Sequence, residues 1–165
     1  MNHAVRLSAV AAFIVSTTLS ASAIAQAPVA FKATCQAVGF APPEPLGDRD
    51  GHGFTVAPYS CQSMDGPFEG GIMTGQNIWE SDKGSSVLIA GNGVNRKPGM
   101  SLVYVITEGK NTLTMADGKV TGYSGSVKGV YKLATGPAAP YAGKSFTSTF
   151  RSIGRGQFLV ETTID

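Results

Sequence analysis

The stretch Asp117-Gly118-Lys119-Val120-Thr121-Gly122-Tyr123-Ser124-Gly125-Ser126-Val127-Lys128-Gly129-Val130-Tyr131-Lys132-Leu133 decides the fold. It opens on Asp-Gly, the strongest two-residue hairpin signal in the chain, because both central residues of a type I′ turn need positive φ. The run that follows, Lys119 to Leu133, reads as one strand rich in Val, Thr and Tyr, interrupted by Gly122, Gly125 and Gly129. Glycine inside a strand marks a bulge, a barrel corner or a close backbone approach. Gly70, Gly71 and Gly75 interrupt a second expected strand in the same way. A sheet that curls until its edges meet uses such kinks, and an open flat sheet has little need of them. The expectation is a barrel rather than a sandwich.

The rest of the chain agrees. Its 21 glycines all follow the first 25 residues, and inside a helix each would cost about 1 kcal/mol relative to Ala. Short β-branched and aromatic runs alternate with turn residues: Val29 to Cys35, then Phe54 to Cys61 after a rigid Pro42-Pro43-Glu44-Pro45 loop. Asp65-Gly66-Pro67 turns the chain into Phe68 to Glu80, followed by Ser86 to Ala90 and Leu102 to Thr107. Glu108-Gly109-Lys110-Asn111 reads as a tight turn into Thr112 to Met115, and Ser145 to Arg151 pairs with Gln157 to Thr163 across Ser152 to Gly156. The class is all-β, an antiparallel, Gly-kinked barrel of about eight or nine strands.

Alternation assigns faces. Phe146, Ser148 and Phe150 share one face of their strand, and Phe158, Val160 and Thr162 share one face of the next. Leu102 to Ile106 is apolar on both faces, as expected of a central strand, with Tyr104 opposite Val103 and Val105.

Residues 1–25 read as a cleavable secretory signal: a basic head from Met1 to Arg6, an apolar run from Leu7 to Leu19, then small residues. Cleavage after Ala25 starts the mature chain at Gln26, whereas the frame ending at Ala27 would place Pro28 just after the cut, where its rigid ring fits poorly. Residues 26–165 then form a single barrel domain, placed in the periplasm or secreted. In such a compartment Cys35 and Cys61 are expected to form a structural disulfide. Closing a loop of about 25 residues stabilises by roughly 3 to 4 kcal/mol on the chain-entropy account.

The mature chain carries twelve Lys and Arg against eleven Asp and Glu, with Arg96-Lys97 the only adjacent basic pair. A nucleic-acid binder needs a basic stripe, which the sequence lacks. No later apolar run approaches the roughly 20 residues of a membrane helix. An outer-membrane barrel would need aromatic girdles at both interfaces. A soluble product is expected, its oligomeric state open.

Gly47-Asp48-Arg49-Asp50-Gly51-His52-Gly53 is the most chemical-looking segment. Asp48, Asp50 and His52 alternate like the start of a calcium loop, but His52 is a nitrogen ligand where Ca²⁺ wants oxygen, and Tyr59 stands where the bidentate Glu belongs. An Asx-stabilised turn is the better reading, with no metal or cofactor. His52 is the only mature-chain histidine, and Asp48 or Asp50 could orient it as a general base. No Gly-x-Ser-x-Gly elbow supplies a nucleophile. Catalysis is therefore not expected, with His52, Asp48 and Asp50 kept as the candidates for it. Trp79 reads first as a core plug and second as a stacking wall for a ligand. Tyr104, Tyr123 and Tyr131 read as core lining or as polar handles inside a cavity.

The run from Gly118 to Tyr131 resembles a recurrent strand pair in allene oxide cyclase-like and dirigent-like barrels, where a Gly-x-Tyr/Phe-x-Gly-x-x-Gly run turns one strand into the next. The resemblance implies an eight-stranded closed barrel with an apolar cavity, used in that family to isomerise or steer a reactive intermediate. It carries no catalytic residues over to this chain. The block Pro43 to His52 resembles a signature of exported bacterial proteins, which implies the compartment alone.

Three functions follow. The first is an exported barrel that binds a small apolar or amphipathic molecule at Trp79, Tyr104, Tyr123 and Tyr131. The second is a cavity cyclase or isomerase with His52, Asp48 and Asp50 at the mouth. The third is an envelope interaction or inhibitor module that works through its surface.

Overall fold

The computed structural model describes residues 29–39, 43–117 and 119–165. The expected signal at 1–25, the start at Gln26 and the hairpin residue Gly118 lie outside them. Nine strands follow in order: β1 Val29–Ala37, β2 Glu44–Pro45, β3 His52–Ser63, β4 Ile72–Asp82, β5 Ser85–Lys97, β6 Met100–Ala116, β7 Lys119–Thr135, β8 Ser145–Gly154 and β9 Gln157–Ile164. From β3 to β9 each strand pairs antiparallel with the next, β9 pairs with β1, and β1 returns to β3. Eight strands thereby close into a barrel, and β2 adds to the free stretch of β3. Closure gives every long strand a partner on both sides.

The face assignments hold. Phe146 and Ser148 of β8 and Thr162 and Ile164 of β9 are buried in the lumen, as are Leu102, Tyr104 and Ile106 of β6. The β1–β3 seam is short, with five residue pairs from Ala33↔Ser63 to Ala37↔Tyr59, and Cys35 faces Cys61 in its centre. The two cysteines form the expected disulfide across that pair.

One barrel end is plugged. A 3-10 turn at Gly66–Phe68 and another at Gly136–Tyr141 fold Phe68 and Ala138 into it, both fully buried. Phe68 packs edge-on against Phe31 at 5.0 Å and against Tyr141 at 5.4 Å between ring centroids. The strand expected from Phe68 therefore starts later, at Ile72. Gly66 and Gly70, with φ of 69° and 74°, bend the chain so that Phe68 points into the barrel end.

Gly122 and Gly129 stand beside register shifts in the β6–β7 ladder, as expected of kinks, and other strand glycines make room for rings on the neighbouring strand. Gly75 on β4 pairs with Tyr59 of β3 on one side and Gly93 of β5 on the other, and Gly93 pairs with Tyr104 of β6. The two tyrosine rings lie over this pair of glycines and meet at their hydroxyls, 2.8 Å apart. A Cβ on Gly75 would sit 2.6 Å from the Tyr59 hydroxyl, too close for any side chain. Gly125 and Gly129 of β7 lie likewise beneath Phe150 and Phe146, their direct partners on β8. Register shifts fall in the β4–β5 ladder at Ile78/Trp79, in the β6–β7 ladder at Val103/Tyr104, at Ile106/Glu108 beside Gly129 and at Thr114/Met115 beside Gly122, and in the β8–β9 ladder at Ser152/Gly154.

The turn expected at Glu108 to Asn111 does not form. β6 runs straight through it with a bulge, because Gly109 turns inward beneath Trp79 while Glu108 faces out and pairs with Lys128 at 3.5 Å. The expected strand at 86–90 likewise extends to Lys97.

Candidate functional site

The other barrel end is open, and a cavity of about 1630 Å³ runs from the rim into the barrel. Its walls follow from alternation. The inward positions are Thr55, Ala57 and Tyr59 on β3, Met73, Asn77 and Trp79 on β4, Asn111 and Leu113 on β6, Tyr123 and Val127 on β7, Phe150 on β8 and Phe158 and Val160 on β9. Among the residues whose side chains are described, no carboxylate, ammonium or guanidinium group takes an inward position on a strand.

Toward the plug the lumen is more closely packed, although Phe31, Leu102, Tyr131 and Phe146 still line the cavity. Tyr131 stacks on Phe146 with centroids 4.8 Å apart, and Tyr104 packs edge-on against Phe146 at 6.0 Å. Ser148 and Thr162, both buried, share a 2.7 Å hydrogen bond. Toward the rim the walls stand apart, in a belt of rings. Trp79 meets Phe150 at 6.1 Å, Phe150 meets Tyr123 at 6.3 Å, Tyr123 meets Phe158 at 6.1 Å and Phe158 meets Tyr59 at 6.2 Å.

The four aromatic residues singled out from the sequence thus occupy different depths. Tyr123 is half-buried in the open part, Trp79 and Tyr104 are buried at its boundary, and Tyr131 belongs to the packed end. Sequence reasoning passed over Tyr59, Phe150, Phe158, Asn77 and Asn111. Alternation had already placed Phe150 and Phe158 on definite faces. Asn77 and Asn111 carried no signal, because a polar residue in a strand is ordinarily placed outward.

Removal from water pushes the tyrosine hydroxyls up: Tyr59 to about 12, Tyr104 well above its ordinary range, and Tyr123 and Tyr131 upward as well. All four are neutral near pH 7. Asn77 and Asn111 each keep a buried amide oxygen with no hydrogen-bond partner.

His52, Asp48 and Asp50 border the mouth. The His52 side chain lies on the outer face of β3, alternating with inward Gly53 and Thr55, and is 8% exposed because the loop 46–51 covers it. Backbone bonds from Leu46 N–H to the His52 carbonyl and from Lys83 N–H to the Gly51 carbonyl hold that loop down. His52 Nδ1 lies 2.6 Å from Asp48 Oδ1, and Nε2 lies 2.9 Å from Glu80 Oε1. Arg49 extends the chain of charges, donating to Asp48 at 2.8 Å and to Asp82 at 2.9 Å. Two carboxylates on the two ring nitrogens favour the imidazolium, since a neutral ring has only one N–H to donate. The His52 pKa is accordingly raised, first by Asp48 and then by Glu80, and Asp48 is lowered chiefly by its bond to His52. Asp50 takes no part in these bonds. Among the described residues no group of three His, Cys, Asp or Glu side chains is disposed to hold a metal ion, and no helix is long and apolar enough to cross a membrane.

No protein-family model matches this chain, and no curated protein matches it either. The barrel's own geometry therefore carries the functional argument.

Proposed function

We propose that this protein is an exported barrel that binds a small apolar or amphipathic molecule in its lumen. The observation that carries the reading is the division of the molecule: one end is plugged by Phe68, the other opens on a ring-lined cavity, and the charged groups stand at the rim or outside. Concave, mostly apolar sites with a few hydrogen-bonding groups are the usual form of small-molecule sites. The His52 network supports binding over catalysis, because its imidazole is spent on two carboxylates under a loop and faces away from the lumen. Export rests on the sequence of residues 1–25, and the disulfide fits an oxidising compartment. The likeness of residues 118–131 to allene oxide cyclase-like and dirigent-like barrels belongs to the same reading and rests on that run alone.

The test fills the lumen. Ala57→Phe places a ring in the cavity between Tyr59 and Trp79 of the belt. Nile red, a neutral dye that brightens in apolar surroundings, should bind the parent protein and lose that signal in the variant while the far-ultraviolet circular dichroism is unchanged. Equal dye binding by both proteins would show that the dye sits elsewhere and would overturn the reading.

A further inference from the structure

We infer that the ligand is an uncharged, flat ring system carrying hydroxyl or N–H donors, and that the Asn77 and Asn111 amides receive those donors. The inference deepens the binding function proposed above and rests on it.

Three observations converge on this class. The belt of Trp79, Phe150, Tyr123, Phe158 and Tyr59 offers ring faces and edges on several sides of the open half. Rings gain from meeting rings beyond what buried area alone gives, and the belt's side chains turn about only two bonds each, so little order has to be imposed on binding. A flexible aliphatic chain would gain the area term and lose its own conformational freedom.

Among the described residues the charged groups that line the cavity, Asp48, Arg49, Asp50, Lys83 and Arg155, belong to loops and turns at its mouth, and the hydroxyls deeper in resist ionisation. A charged group on the ligand would meet no counter-ion there, and burying an unpaired charge is far costlier than burying a neutral polar group. The part of the ligand inside the barrel is therefore neutral.

The third observation is hydrogen-bonding capacity left unspent. The amide oxygens of Asn77 and Asn111 are buried and unpaired. The terminal torsion of an asparagine is broad, so either oxygen can swing from the wall into the lumen at small cost. Each then accepts from a hydroxyl or N–H. On the other side, Tyr59 and Tyr104 have two hydroxyl hydrogens and use one between them, which leaves one O–H for an acceptor on the ligand.

The experiment uses three probes on the intact protein. N-phenyl-1-naphthylamine is neutral, flat and carries one N–H. 8-Anilinonaphthalene-1-sulfonate has nearly the same rings with a fixed negative charge. 1-Dodecanol is neutral and chain-like. Trp79 is the only tryptophan in the chain and lines the cavity, so energy transfer from it to either naphthalene probe reports occupancy, and dodecanol is read by its displacement of the naphthylamine. The naphthylamine should bind at least about tenfold tighter than either of the others. Of Asn77→Leu and Asn111→Leu, the one that removes the amide receiving the single N–H should weaken it about fivefold or more. Equal binding of the sulfonate would overturn the neutral assignment, and equal binding of dodecanol would overturn the ring assignment, with the binding function standing in both cases. Failure of all three probes to bind would overturn the binding function itself. The parent-protein comparison decides the matter even where an asparagine variant does not fold.

Discussion

At the scale of single residues, His52 sets a pH dependence whose direction follows from its partners. Its folded pKa is raised above the ordinary 6.5, so its contribution to stability is fully present below that value and is lost as pH rises through the folded one. Asp48 is lowered from 3.8, so its share is present above that value and is lost as pH falls through the folded one. Between the two the loop 46–51 is held most firmly. Amide hydrogen exchange in that loop, corrected for the intrinsic rate, should accelerate above neutral pH in the parent protein. His52→Gln should remove this acceleration. The same scale supplies a packing prediction. Gly75→Ala places a methyl against the Asn92 carbonyl and the Tyr59 ring, and the carbonyl belongs to the sheet and cannot step aside. Chemical denaturation should show a loss of about 1 to 3 kcal/mol, with part of it recovered in a Gly75→Ala, Tyr59→Leu double variant. The sequence marked Gly75 as special and misread the reason. A ring on the neighbouring strand lies over it, and that neighbour is visible only once the register is known.

At the scale of elements, the closing seam between β1 and β3 is the shortest of the eight ladders and the one carrying the disulfide. Cys35→Ser with Cys61→Ser should cost roughly 3 kcal/mol in denaturation experiments. Hydrogen exchange should speed up first in residues 33–37 and 59–63, with the β6–β7 ladder unaffected. Uniform loss of protection would mean that the barrel opens as one unit rather than at its seam. β8 and β9 were legible because their apolar residues alternate cleanly. The Glu108 to Asn111 segment was not, because Gly-Lys-Asn is turn chemistry by local preference, and only the inward fit of Gly109 beneath Trp79 keeps it in the strand. The hairpin at Lys83-Gly84 was missed for the converse reason. Both residues have positive φ, 47° and 87°, the backbone of a type I′ turn, but lysine is not a residue that announces one. Gly84→Val should therefore lower stability by more than about 1 kcal/mol, read from the denaturation midpoint.

At the scale of the whole molecule, the barrel is two bodies in one sheet, a closely packed half around Phe68 and a hollow half around Tyr123. Phe68→Ala should cost about 3 to 5 kcal/mol, the usual toll of removing a fully buried ring, and should open the lumen at both ends. Probe dissociation from that variant should be faster than from the parent. An unchanged dissociation rate would place the exit at the rim alone. The barrel, its closure and its disulfide were readable from glycine pattern, alternation and cysteine count. The division into halves was not, because it depends on which inward side chains touch across the lumen, a property of curvature that no local pattern encodes.

The pairing of β1 with β9 sets Val29 beside Ile164. Seven of the eight ladders join strands that follow one another in the chain or meet at these two ends, so the order of connections is cyclic and the backbone gap between 164 and 29 is one cut among several equivalent ones. A circular permutant that bridges this gap with a short Gly-Ser linker and begins at Gly84, in an exposed two-residue turn, keeps every strand pair. It should fold with the same disulfide and the same cavity, checked by thiol labelling and Trp79 quenching. The new ends would then lie at the open rim rather than at the plug, where a tether or a reporter could be attached next to the mouth.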